Sequence, residues 1–232
     1  KIDLDNPFYV CMITKKGTVK RTSIEAFKNV RKTGIIAINI DEDDELAYVC
    51  RTCGDEELMV ATKKGYSIRF NENDAREMGR TARGVRAIRL REGDEVVGML
   101  VVKEGKEILT VTETGYGRLS EIDNYRLQSR GGKGLTNYHV NDYGDVATVE
   151  VVDPADDLML ISTDGIIIRI PMGGEKGIRL CARPSKGVRV MKVTEGEKLI
   201  TAVAVKVEDD EIDENTESES ETTETTDEQT EE

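Results

Sequence analysis

Short apolar runs alternate with compact polar turns through the first 207 residues, and the alternation has a long period. Apolar runs at 9–13, 58–61, 108–111 and 158–161 are each followed by a turn of one kind. The turns are Thr14-Lys15-Lys16-Gly17, Thr62-Lys63-Lys64-Gly65, Thr112-Glu113-Thr114-Gly115 and Ser162-Thr163-Asp164-Gly165, with glycines 48, 50 and 50 residues apart. Each turn leads into a second strand-like run. The pair reads as a β-hairpin in which Gly adopts the positive φ that a side chain resists.

Two further signatures keep the same phase. A basic residue and a glycine precede a β-rich stretch at Lys32-Thr33-Gly34-Ile35, Arg83-Gly84-Val85, Lys133-Gly134-Leu135 and Lys186-Gly187-Val188. A charged turn then precedes the next strand at Asp44-Glu45-Leu46, Asp94-Glu95-Val96, Gly144-Asp145-Val146 and Glu197-Lys198-Leu199. Each repeat therefore holds about four short strands, which is the make-up of one blade in a radial β array. Ordinary hairpins in a sandwich would not keep three signatures in phase. The chain has no Trp, which excludes WD repeats, and its only glycine pairs are Gly131-Gly132 and Gly173-Gly174, a poor fit to kelch. The expected class is all-β, about four propeller-like blades near 8–57, 58–107, 108–157 and 158–207.

Charge divides the chain in two. The formal net charge is −13, yet residues 208–232 hold 14 acidic residues and no Lys or Arg, leaving 32 acidic against 33 basic side chains in residues 1–207. The tail, rich in Glu, Thr and Ser, is expected to be disordered and to compete with any anion for a basic surface. The body is near neutral and large enough for a substantial core. No apolar run approaches the ~20 residues of a membrane span, and the start carries no secretory signal. Four cysteines without an export signal favour a reducing compartment, and Lys1 in place of Met hints at a fragment.

The basic residues repeat in phase. Arg80, Arg130 and Arg183 stand four positions before the second glycine; Arg83, Lys133 and Lys186 stand immediately before it. Arg31 and Lys32 form a shifted variant in the first repeat. Five positions after the glycine come Asn39, Arg89, His139 and Lys192, with apolar neighbours on either side, so this position should face outward. Arg86 and Arg189 have the opposite parity, which calls for a bulge or sharp twist near the strand start. After the first glycine Arg21, Arg69 and Arg169 align, with Arg118 one position earlier. Cations repeated at one place in every blade form a band along the rim, suited to double-stranded DNA gripped through its phosphates. The densest patch, residues 76–91, has six Arg and one Glu. Surface cations paired with abundant Asp and Glu are the plainer reading of such a run.

Catalytic chemistry finds little support. His139 is the single histidine and belongs to the outward series. Cys50-Arg51-Thr52-Cys53 has zinc-like spacing, but Cys11 and Cys181 are distant. Gly131-Gly132-Lys133-Gly134 lacks the Ser or Thr and the helix of a phosphate loop. No catalytic, cofactor or metal residue is assigned.

The segment Gln128-Ser129-Arg130-Gly131-Gly132-Lys133-Gly134 resembles the seven-residue basic box of the DNA gyrase A protein, Q-R-R-G-G-R/K-G. Gly115-Tyr116-Gly117-Arg118, the stretch from Met78 through Arg80 and Arg83-Gly84-Val85-Arg86 to Leu90, and Gly17-Thr18-Val19-Lys20-Arg21-Thr22 resemble later blades of the C-terminal domain of that family. The matches cover about residues 8–207. The resemblance implies a β-pinwheel that bends DNA around its basic perimeter and lets a type IIA topoisomerase introduce negative supercoils. It further implies a bacterial cytoplasmic setting and ATP and Mg2+ bound elsewhere in the holoenzyme. The partners implied are the remainder of the gyrase A protein, as a homodimer, and the gyrase B protein in an A2B2 heterotetramer, with no membrane partner. Ser129 stands where the box has a second Arg, and the family's full box lies in the first of about six blades. Arg130 and Lys133 therefore carry over by position but not the decisive role in wrapping, and a complete box with two more blades is expected upstream. The C-terminal domain of the topoisomerase IV counterpart and a protein-interaction propeller that binds acidic partners are the competing readings.

Overall fold

In the first three repeats the apolar run becomes a strand buried on both faces, which is why it is continuous rather than alternating. In the fourth, Leu158 and Leu160 are buried and Met159 and Ile161 only half-buried. The structure, a computed structural model, describes residues 8–141, 143–174 and 177–207. The expectations for residues 208–232 lie outside the described residues.

The first hairpin is β1 (Tyr9–Thr14) and β2 (Thr18–Ser23), followed by β3 (Leu46–Thr52). The second repeat supplies β4 (Glu57–Thr62), β5 (Tyr66–Asn71), β6 (Val85–Arg86) and β7 (Val96–Val101). The third supplies β8 (Glu107–Thr112), β9 (Tyr116–Glu121), β10 (Leu135–Thr136) and β11 (Val146–Val152). The fourth supplies β12 (Asp157–Ser162), β13 (Ile167–Pro171), β14 (Val188–Arg189) and β15 (Leu199–Val205). All pairings between these strands are antiparallel.

The sheets do not coincide with the repeats. Their strand orders are β3-β1-β2-β6, β7-β4-β5-β10, β11-β8-β9-β14 and β15-β12-β13. The fourth strand of a sheet is thus lent by the following repeat: Val85 pairs with Val19, Leu135 with Ser67 and Val188 with Gly117. The second to fourth repeats hold four strands each, as expected, and the correction concerns the sheet: one strand of each repeat joins the sheet of the repeat before it. Among the described residues β13 has no such neighbour, and the stretch after Gly34 forms no strand. The lent strand is two residues long, so Arg89, His139 and Lys192 lie beyond it, although all are exposed as expected. The register shifts fall elsewhere than expected, where β1, β4, β8 and β12 meet the strand after the charged turn.

Cores lie between neighbouring sheets. Leu58, Val60, Ile68 and Phe70 pack with Cys11, Ile13 and Val19 of the first sheet. Met59 and Ala61, on the opposite face of β4, pack with Ile108, Tyr125 and Tyr138 of the third repeat. Leu109, Val111, Leu158 and Leu160 join the last two sheets. Full burial of one such side chain contributes ~1.5–3 kcal/mol. Strands β3, β7, β11 and β15 succeed one another as neighbours along one side of the array.

The signatures stay in phase because they touch across repeats. The Gly65 carbonyl accepts from Asn137 N at 2.7 Å, and the Gly115 carbonyl accepts from Val190 N at 2.9 Å. Charged turns close on the hairpin turns: Lys63 N donates to Glu95 O and Glu113 N to Asp145 O, at 2.9 and 2.8 Å. Asp94 also accepts from Thr62 Oγ1 and from Lys64 N. These acids are turn residues by construction.

Candidate nucleic-acid interface

The glycine of the second signature is driven against the preceding hairpin. A Cβ on Gly187 would stand 2.1 Å from Gly117 O, so only glycine permits the approach. The residue just before it is turned outward: Arg83, Lys133 and Lys186 are all exposed. Arg86 and Arg189 on the lent strands, and Arg89 beyond, are exposed as well. Arg83 pairs with Asp41 at 2.6 Å, both well exposed, a contact of little net energy. Among the described residues Arg86, Arg89, Lys133, Lys186 and Arg189 make no salt bridge.

Several turn carboxylates are engaged with other cations. Lys15 pairs with Glu45 at 2.6 Å, Lys63 with Glu95 at 3.0 Å, Lys64 with Asp145 at 3.0 Å and Lys198 with Glu113 at 2.7 Å. Lys16 pairs with Asp43. Lysines and carboxylates of the two kinds of turn thus neutralise one another, while Arg86, Arg89, Lys133, Lys186 and Arg189 are left facing solvent. The near-neutral body thus has its paired charges at the turns and these five cations without a carboxylate partner among the described residues.

Arg80, Arg130 and Arg183 have a different geometry from the one their periodicity suggests. They are half-buried and donate to backbone carbonyls of the preceding repeat. Arg130 Nε bonds Asp74 O at 2.7 Å and its Nη1 bonds Arg86 O at 3.1 Å. Arg183 repeats the pattern on Asn124 O and Thr136 O at 2.7 and 2.6 Å, and Arg80 Nη1 bonds Ile36 O at 3.1 Å. They staple consecutive repeats. Carbonyl acceptors leave the positive charge in place, so they still add to the field of the rim.

The set following the first glycine does not lie on the rim. Arg21 is 7% exposed, bonded to Glu72 at 3.2 Å and Asn73 at 2.6 Å, with its guanidinium over the Tyr9 ring. Arg118 is fully buried, donating to Asn137 O and Oδ1 at 2.6 and 2.7 Å. Arg69 is held by Glu57 at 2.5 Å and by the Ile122 and Tyr125 carbonyls. Arg169 is exposed but paired with Asp157 at 2.6 Å. Arg31 and Lys32 are exposed on a stretch without strand structure. The carboxylate twelve positions before Arg69 and Arg169 was the available signal for pairing.

Sequence reasoning also missed Lys20, the counterpart of Arg118 in the first sheet. It is fully buried and its Nζ donates to Ala37 O at 2.6 Å and to Arg80 O. Burial, reinforced by the Arg80 charge, brings its amine down to about 8.

Cys11 lies opposite Cys50 across β1 and β3, while Cys53 is exposed beyond the strand. Among the described residues no three His, Cys, Asp or Glu side chains gather in a metal-binding group, and no helix is long and apolar enough to cross a membrane.

The sequence profile described as "DNA gyrase C-terminal domain, beta-propeller" matches residues 9–50, 56–103, 106–153 and 156–206. The chain is 55% identical over 208 residues to the DNA gyrase A protein of Halalkalibacterium halodurans, covering 89% of this chain and 25% of that protein. It thus spans about a quarter of that relative's length. A solved structure of the DNA gyrase A C-terminal domain superposes with TM-score 0.76 at 26% identity, covering 87% of this chain and 67% of that one. The C-terminal domain of DNA topoisomerase IV gives TM-score 0.82 at 25% identity, covering 89% and 64%. With the profile matching all four repeats, the chain belongs to the family of DNA gyrase C-terminal domains with a β-propeller fold.

Proposed function

We propose that this chain binds duplex DNA along its basic rim and bends it there, as part of the gyrase A protein of a type IIA topoisomerase. The observation that carries the reading is the separation of charge: turn lysines are matched to turn carboxylates, while Arg86, Arg89, Lys133, Lys186 and Arg189 meet no acid among the described residues. A band of unpaired cations at equivalent joints can follow a phosphate backbone without reading sequence. In the complete enzyme the bend would serve ATP-dependent negative supercoiling, with ATP and Mg2+ held elsewhere, the gyrase B protein as partner in an A2B2 assembly, and a bacterial cytoplasm as the setting. This segment would contribute no catalytic residue. Topoisomerase IV is the second reading, supported by the structural likeness to its C-terminal domain.

The test is relaxation of nicked-and-resealed or topoisomerase-treated circles in the presence of the chain at low salt. A shift in linking number that grows with protein supports wrapping. An unchanged linking number, together with unchanged topology in a version carrying additional upstream blades, removes it.

A further inference from the structure

At the joint between the third and fourth repeats, two rim cations rest on tyrosine rings. Lys186 Nζ lies 5.0 Å from the centroid of Tyr116 and 5.0 Å from that of Tyr143. The Arg189 guanidinium lies 5.1 Å from the Tyr116 centroid, and its Nη2 donates to the Tyr116 hydroxyl at 2.8 Å. The two rings are 5.2 Å apart, and Tyr138 meets Tyr143 edge-on at 6.4 Å. The Tyr138 hydroxyl donates to the carbonyl of Lys186. Lys186 is therefore fixed at its backbone by one tyrosine and at its tip by two others.

The other joints lack this arrangement. Between the second and third repeats Tyr66 occupies the place of Tyr116, but Thr136 stands where Arg189 does and Gly93 where Tyr143 does. The Tyr66 ring is covered instead by Arg91, at 3.1 Å. Between the first and second repeats Thr18 takes the tyrosine's place, opposite Arg86. A ring holds a cation without cancelling its charge, as a carboxylate would. A cation already held gives up less rotamer freedom when it grips a phosphate.

We propose that Tyr116 and Tyr143 are positioning residues that present Lys186 and Arg189 together to a duplex backbone, making this joint the firmest grip on the DNA track. The inference rests on the DNA-binding reading and adds to it a place where grip is concentrated. Its test uses the full chain and a labelled mixed-sequence duplex of about 40 base pairs, with affinity read by anisotropy across a series of salt concentrations. Tyr116→Leu with Tyr143→Leu should weaken binding about fivefold, while the slope of log affinity against log salt stays unchanged because both charges remain. Lys186→Ala with Arg189→Ala should lower that slope by about two. Adding the tyrosine changes to that background should cost nothing more.

A Tyr116→Leu, Tyr143→Leu variant that binds within about twofold of the parent overturns the proposal, as does an equal loss from the leucine changes in the Lys186→Ala, Arg189→Ala background. Tyr116→Phe keeps the ring packing and drops only the bond to Arg189, so it serves if the leucine variants fold poorly; about a twofold loss is expected and none overturns the proposal. If the alanine pair leaves both affinity and slope untouched while the parent binds with steep salt dependence, DNA runs elsewhere and only this inference falls. If the parent itself shows no salt-dependent binding, the DNA-binding reading falls with it.

Discussion

Gly115 lies so close to Met191 of the following repeat that a Cβ on it would stand 2.2 Å from the Met191 carbonyl oxygen. The same glycine accepts from Met191 N at 3.2 Å, so the approach is a bonded joint rather than a chance contact. Gly115→Ala should therefore destabilise the chain by roughly 2–4 kcal/mol, from the left-handed backbone and the clash together. Gly165 has nearly the same backbone, φ +80°, with nothing within 4 Å of its added Cβ. Gly165→Ala should cost only about 1–2 kcal/mol. Urea melting of the two variants isolates the part due to the joint.

The stapling arginines and the rim cations should separate in a pair of measurements. Arg183→Met leaves the Asn124 and Thr136 carbonyls without their donor and should lower stability by about 2 kcal/mol. Lys133→Ala, at an exposed side chain without a salt bridge among the described residues, should leave stability within about 0.5 kcal/mol of the parent. It should lower the salt slope of DNA binding by about 0.9. Thermal melting alongside salt-dependent binding checks both, and a reversed pattern would interchange their roles.

Glu150 gives a pH signature. Burial pushes its carboxyl above the ordinary range, opposed by the Ala204 amide that donates to it at 3.3 Å. A carboxyl that is raised in the folded state disfavours folding at pH values where it must be charged. That penalty disappears as pH falls through the raised value toward that of the unfolded chain. Glu150→Gln should thus raise the melting temperature at pH 8, with a gain that vanishes near pH 4. A gain independent of pH would show that the side chain is not the titrating group.

Lys20 should titrate near pH 8 inside the protein, against 10.5 for the free amine. Because its folded value is depressed, the charged form opposes folding below that pH, and stability should climb between about pH 8 and pH 10. Carbon-13 shifts of the labelled lysine ε-carbon follow the titration directly. The stability rise should be absent from Lys20→Met.

What the sequence disclosed and what it hid have a common physical origin. The three signatures were legible because each is fixed by contact with another: the Gly65 carbonyl meets Asn137, and Asp94 closes the Thr62 turn. Ownership of the fourth strand was hidden, since Val85 is close in sequence to β7 but pairs with Val19. Among the cations, phase alone could not tell rim from interior. Arg80, Arg130 and Arg183 recur because each meets the same carbonyl of the preceding repeat, and a shared environment need not be a shared exposure. Arg21 was hidden further by its neighbours, for Lys20 and Thr22 are buried beside it and give that stretch the look of a surface.

Lending one strand back to the preceding sheet also fixes how such an array can change size. Every joint is made from the first signature of one repeat and the second of the next, and the three joints share the same backbone contacts. Removing or duplicating one whole period, cut at any point within it, restores a joint of the same kind and requires no new interface. Blade number is therefore an adjustable dimension of this fold, and the length of the basic rim is adjustable with it.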